Sequence, residues 1–304
     1  MNNFETFAPL AVDERQRLLE IGGRWARDIH GHRDAVLSIY SPLLARAPKA
    51  DVCVQRDQAY GPHARQLLDV FAPIGAQDCD VALFVHGGAF VRGNKRVNDE
   101  VYDNLGYWFA RQGVVLVNME YRLAGEAPYP AGALDVQLAV QWCSRHIAAS
   151  GGNPRRIALI GHSAGGTHVA SYLADPVVPG GPSPDVIGAV SLSGRLRADV
   201  RPDNPNAGGV RVYFGADASL HEQRSPVTHA HRVQVPFLVA VAEYENPYLD
   251  AYGMEFAMRY ATAHGRAPEF VCLPGHNHTS MFAHFNSGEV WLGQRILDFI
   301  HACS

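Results

Sequence analysis

The sequence predicts an α/β fold, a mostly parallel, doubly wound sheet preceded by a helical segment. Three observations carry this. From Val52 onward, short and near-continuous apolar runs recur along the chain. Between them lie stretches whose apolar residues have helical spacing. The 304 residues are 47% apolar and 18% charged, enough for a large core. Strands covered by helices on both faces read as continuous apolar runs. Strands alternating with helices imply right-handed crossovers.

The elements follow in order. Leu18, Gly22, Trp25 and Ile29 fall on one face of a helix starting near Asp13. A second helix is expected around Ala35–Ala45, with Pro42 as an obstacle. Residues 1–50 are expected to form a helical segment, either an extra layer on the main domain, residues 51–304, or a lid over it. Candidate strands are Leu67–Phe71, Val81–Val85, Val114–Met119, Ile157–Ile160, Ile187–Leu192, Phe237–Ala242 and Glu269–Leu273. Val136, Ala139, Val140, Cys143 and Ile147 mark one helix face. A second helical run follows Ala164 through Leu173, and a third uses Val290, Gly293, Leu297 and Ile300. Residues 175–185 and 201–209 are rich in Pro, Gly and Asp and are expected to be loops.

Composition narrows the function. The formal net charge is −4, with no basic block, which disfavours nucleic acid or an anionic membrane as partner. No apolar stretch approaches the roughly 18 residues of a membrane span. The start, MNNFETFAPL, lacks a basic region followed by an apolar one, so no signal peptide is expected. The five cysteines are widely spaced without C-x-x-C, which argues for reduced thiols rather than disulfides or zinc. A cytoplasmic protein is the expectation, and the oligomeric state stays open, with a homo-oligomer allowed.

Gly161-His162-Ser163-Ala164-Gly165 fits G-x-S-x-G. Three fixed positions at roughly 7% each would match by chance in about one chain in ten, so context decides. The motif follows the strand Ile157–Ile160 and opens a helical run, the strand-turn-helix setting of a nucleophile elbow. Ser163 would then stand at the carboxyl end of its strand, where open α/β sheets bind ligands. The plain alternative is a Gly-rich turn. His86-Gly87-Gly88-Ala89-Phe90 follows another strand. There the amides of Gly87 and Gly88, with that of Ala164, could stabilise an oxyanion. No phosphate-binding glycine motif is present.

A serine needs a base, and the base an orienting acid. Past the strand Phe237–Ala242 lie Glu243, Glu245 and Asp250. Past Glu269–Leu273 lie His276 and His278. The order serine, acid, histidine matches the hydrolase order. Glu245 is preferred because it stands deeper in its loop, with Glu243 and Asp250 as alternates. His278 precedes a helix-like stretch, Thr279–Phe285, and is preferred over His276. A metal cluster of His276, His278 and His284, or of His221, His229 and His231, is the rival reading. Neither H-E-x-x-H nor a Cys–His ligand pattern supports it.

At this point the chain resembles a known superfamily, the α/β-hydrolases. The branch is that of hormone-sensitive-lipase-like carboxylesterases and kynurenine-formamidase-like hydrolases. The resemblance runs from about Tyr60 to Phe299. It rests on Tyr60-Gly61, Leu68-Asp69-Val70-Phe71, the His86-Gly87-Gly88 loop with Phe90, Tyr121-Arg122-Leu123-Ala124, Tyr129-Pro130 and Asp135. Gly152-Asn153-Pro154, Arg156-Ile157, the Ser163 elbow and Ser225-Pro226 complete it. By position it implies a triad of Ser163, Glu245 and His278, and a variable cap at the N-terminus. Ala89 stands where lipase-type members often carry a third glycine, and the acid is Glu where many carry Asp. The expected function is hydrolysis of a small carboxylic ester, without cofactor. The alternatives are an aryl formamide or carbamate hydrolase on the same triad and, more remotely, a non-catalytic binding protein on this fold.

Overall fold

The computed structural model describes residues 9–303. One sheet of eight strands organises them: β1 (Val52–Ala59), β2 (Leu67–Pro73), β3 (Cys79–Val85), β4 (Val115–Met119), β5 (Gly152–His162), β6 (Val186–Leu192), β7 (Phe237–Tyr244) and β8 (Glu269–Asn277). The order is β1-β2-β4-β3-β5-β6-β7-β8. β2 pairs antiparallel with β1 and β4, and every pair from β4 to β8 is parallel. The order reverses around β3, so loops leaving the carboxyl ends of β3, β5, β7 and β8 share one edge. Open α/β sheets carry their sites on that edge.

The helices long enough to pack are α1 (Val12–Gly22), α2 (Ile29–Ala45), α3 (Asp103–Arg111), α4 (Ala131–His146), α5 (Ala164–Ala174) and α6 (Ala207–Phe214). Helices Leu249–His264 and Trp291–Ala302 follow. The sheet residues divide by parity. Phe84, Ile160, Leu192 and Ala240 face a core shared with Leu18, Trp25, Tyr40, Phe109 and Ile296. Val85, Leu159 and Val239 face the other core, with Val136, Val140, Cys143, Val169 and Phe256. This double burial is why the strands read as unbroken apolar runs. Each fully buried Val, Leu or Phe contributes about 1.5–3 kcal/mol relative to exposure.

All seven candidate strands form, most of them longer than expected. β1 was not anticipated from the apolar pattern. It alternates in burial, but its inward positions include Arg56 and Gln58, so polarity hides the period. Arg56 is held by Asp69 at 2.8 Å and by Asp103, which explains a charge on that face. The single helix face through Leu18, Gly22, Trp25 and Ile29 is broken. α1 ends at Gly22, Trp25–Arg27 form a 3₁₀ turn, and α2 begins at Ile29. Gly22 packs directly against the Tyr244 ring, with no room for a Cβ. The Asp28 carboxylate then caps α2 by accepting from the Gly31 amide at 3.0 Å. Pro42 does not stop α2, because it falls in the last turn of that helix, near exposed Ser38. α3, α6 and Leu249–His264 were not expected as helices, and α6 takes up the end of the anticipated 201–209 loop. Val290 is 56% exposed at the N-cap of the last helix, while Gly293, Leu297 and Ile300 are buried as expected. The stretch Thr279–Phe285 is helical only over Ser280–Ala283. All five cysteines are free thiols. Among the described residues, no helix is long and apolar enough to cross a membrane.

Candidate active site

The elbow is built from β5, Ser163 and α5. Ser163 has φ 54° and ψ −116°, a conformation that costs a side-chain-bearing residue on the order of 1–3 kcal/mol. Three backbone bonds hold it there. The Ser163 amide donates to Leu192 O at 3.0 Å, and its carbonyl accepts from the amides of Gly166 at 3.0 Å and Arg195 at 2.9 Å. The flanking glycines are needed for close approach. A Cβ at Gly165 would strike the Val85 carbonyl, and one at Gly161 would strike the Gly165 backbone. The elbow is thus pressed against the end of β3, where the His86–Phe90 loop begins.

That loop is held in an uncommon shape. Gly88, Ala89 and Phe90 have φ of 148°, 50° and 71° in succession. The His86 ring anchors it, Nδ1 donating to Gly87 O at 2.7 Å and Nε2 lying 2.8 Å from the Glu120 carboxylate. Tyr121 Oη donates to His86 O at 3.0 Å. Gly87, Gly88 and Ala89 all line the cleft with Ser163. The Gly87 amide, however, donates to Tyr102 Oη at 3.4 Å, so it already has an acceptor. Ala164 opens α5, where the first helical amides have no partner within their own helix. Ala89, which the sequence reading did not take as a donor, lines the cleft beside Gly88, which it did.

The acid and base loops meet through the sheet. Tyr244 of β7 registers with Asn277 of β8, and the His278 amide donates to Tyr244 O at 3.2 Å. Glu245 Oε2 then lies 2.9 Å from His278 Nδ1. A carboxylate only accepts, so Nδ1 carries a proton, which leaves the lone pair of a neutral ring on Nε2. Glu245 is fixed in turn. Its Oε1 accepts from the Ala242 amide at 3.0 Å and from the Ser193 hydroxyl, and Oε2 accepts from the Asn246 amide at 3.1 Å. The alternates are engaged elsewhere. Glu243 accepts from the Gly275 amide at 2.7 Å, and Asp250, in the first turn of its helix, accepts from the Ala251 amide at 2.8 Å. His276 is fully buried, with Nε2 2.6 Å from Glu289 and Nδ1 3.1 Å from Ser280 Oγ.

Ser163 and His278 line one narrow cleft of about 120 Å³ with Trp25, Ile29, Tyr102 and Phe282. The N-terminal segment therefore supplies part of the wall. Trp25 is also core, only 2% exposed, and its indole N–H donates to Asn246 Oδ1 at 2.9 Å. Neither Asn246 nor Ser193 carried a motif, since each acts through the loop that presents it. His162, the variable position of the elbow motif, donates from Nε2 to His278 O at 3.1 Å. Burial above all holds its proton affinity well below the usual histidine value. Among the described residues, no group of three or more His, Cys, Asp or Glu is placed to hold a metal.

Comparison with known proteins agrees with the fold. Residues 68–175 match the BD-FAE family model. The chain is 31% identical to human bile salt-activated lipase over 224 residues, covering 66% of this chain and 29% of that protein. It is 36% identical to mouse cholinesterase over 121 residues, covering 36% of this chain and 19% of that protein. The chain thus spans less than a third of the length of these relatives. Among solved structures, an esterase from the bacterial hormone-sensitive lipase family superposes with a TM-score of 0.71 at 24% identity, covering 96% of this chain and 99% of that one. Brefeldin A esterase, a bacterial homologue of human hormone-sensitive lipase, gives 0.69 at 21% identity, covering 96% and 86%.

Proposed function

We propose that this chain, which has the α/β-hydrolase fold, is a serine carboxylesterase acting on small esters, with the described part of the N-terminal segment, residues 9–50, as a cap over the catalytic domain. Ser163 is the nucleophile, His278 the general base and acid, and Glu245 the residue that orients it. The observation that carries the reading is the 2.9 Å Glu245–His278 pair, opening on the cleft that Ser163 lines from its strained elbow.

The steps follow from the tautomer. The Ser163 hydroxyl attacks the ester carbonyl while His278 Nε2 takes its proton. The carbonyl oxygen becomes an oxyanion facing the amides of Gly88, Ala89 and Ala164, where each donor of this kind typically supplies about 3–4 kcal/mol. The imidazolium, steadied by Glu245, returns the proton to the leaving alkoxide, and an acyl-serine remains. Water then repeats the sequence and releases the acid. Gly87 keeps a supporting part, because its amide is taken by Tyr102.

The test is a hydrolysis panel of p-nitrophenyl esters of rising chain length, an aryl formamide and an aryl carbamate. Fastest turnover of the short esters supports the reading. Fastest turnover of the formamide or the carbamate replaces it with an amidase on the same triad. No turnover of any substrate, with Ser163 unreactive, returns the chain to a binding protein.

A further inference from the structure

The mouth of the cleft carries an uncompensated positive charge. Two guanidinium groups line it, Arg33 from α2 and Arg92 from the loop after the His86–Phe90 turn. No Asp or Glu lines the same cleft among the described residues, although the chain as a whole has a formal net charge of −4. Arg33 has an acidic neighbour, Asp34, at 3.9 Å, but the Asp34 side chain is 76% exposed and that of Arg33 42%, so water screens that pair. Arg92 donates from Nη2 to Asn206 Oδ1 at 3.1 Å, a neutral partner. The two charges act on each other and on the site. The proton affinity of Arg92 is lowered first by desolvation and then by Arg33. The Arg33 charge also reaches Tyr102 and His162, both on the cleft wall.

Neither position is accidental to the catalytic geometry. Arg33 is one helical turn from Ile29, which lines the cleft beside it. Arg92 is tied to the oxyanion loop. Its amide donates to Gly88 O at 3.1 Å, and the Arg92 carbonyl fills the space where a Cβ on Gly88 would sit. Like charges in one partly dehydrated cleft repel until an anion joins them. A guanidinium offers five donors in a planar fork that fits a carboxylate.

We propose that Arg33 and Arg92 recognise a carboxylate, so that the preferred substrate is a small ester bearing a free carboxylate beside the scissile bond. This rests on the serine esterase reading above. The carboxylate can sit on the acyl portion, as in a half-ester of a dicarboxylic acid, or on the alcohol portion.

Two pairs, each of an anionic and a neutral ester, test it. Mono-p-nitrophenyl glutarate is compared with p-nitrophenyl butyrate for the acyl side, and 4-acetoxybenzoate with its methyl ester for the alcohol side. The readout is the ratio of kcat/KM for the anionic ester over its neutral partner. In at least one pair the ratio exceeds one by about tenfold at low salt, the size of one charged hydrogen bond. It falls by about tenfold in Arg33→Gln and in Arg92→Gln, is largely kept in Arg33→Lys, and shrinks as salt is raised. Ratios at or below one in both pairs, or ratios that neither glutamine variant changes, overturn the proposal while neutral-ester turnover leaves the esterase reading standing. If none of the four esters is cleaved, the esterase reading falls and the proposal with it.

Discussion

The Trp25 indole N–H donates to the Asn246 side chain at 2.9 Å, joining residues 221 positions apart in sequence. One partner lies in the N-terminal segment, and the other directly follows the proposed triad acid. The bond ties the N-terminal segment to the loop that presents Glu245, and both residues line the cleft.

A cap that is wall and core at once should answer two measurements differently. Trp25→Ala, at a site only 2% exposed, is expected to cost about 3–5 kcal/mol and lower Tm. Ile29→Ala, only half buried, should leave Tm nearly intact and shift the ester panel toward longer chains. Pocket walls discriminate by roughly 1–3 kcal/mol per methylene. An unchanged chain-length ranking in Ile29→Ala would show that the cap packs without shaping the pocket.

The acid assignment is checked by three single variants on one ester. Glu245→Gln should lower kcat by about 10³–10⁴-fold, because an amide donates where a carboxylate accepted and the His278 tautomer is no longer held. Glu243→Gln and Asp250→Asn should stay within about tenfold of the parent, since their carboxylates accept from other amides. A larger loss in Glu243→Gln than in Glu245→Gln would move the acid.

Acid sensitivity should come in part from buried histidines. Burial pushes His168 down to about 3 and His284 to about 4, and holds His162 well below its ordinary value. In the unfolded chain these rings take up protons near 6.5. As pH falls below that value the unfolded state binds protons first, so stability is full above about pH 6.5 and declines below it. Each ring contributes a slope of about 1.4 kcal/mol per pH unit until its folded value is reached. Urea unfolding at pH about 7, 6 and 5 measures the slope, and His168→Gln should reduce it. A His168→Gln slope equal to the parent's would contradict this origin.

Much of the sheet was legible because its strands are buried on both faces, which leaves unbroken apolar runs from Val81–Val85 to Phe237–Ala242. β1 was not, because Arg56 and Gln58 occupy its inner face and only Asp69 and Asp103 explain the charge. The elbow was legible because close packing restricts Gly161 and Gly165 to glycine. The cap was only half legible. Its apolar spacing was real, but Gly22 and Asp28 divide the helix in ways that depend on Tyr244 and on the turn between them. Asn246, Ser193 and the Arg33–Arg92 pair belong to no local pattern, since each acquires its meaning from a residue distant in sequence.

The central claim, that Ser163 is a nucleophile activated by His278, is tested most directly by mass spectrometry after treatment with a fluorophosphonate. The account predicts one phosphonyl adduct per chain, located on the peptide containing Ser163. It also predicts loss of ester hydrolysis in proportion to labelling, and no adduct in Ser163→Ala, which should keep its Tm. An unlabelled Ser163 in protein that still hydrolyses esters, or near-normal turnover by Ser163→Ala, would contradict it.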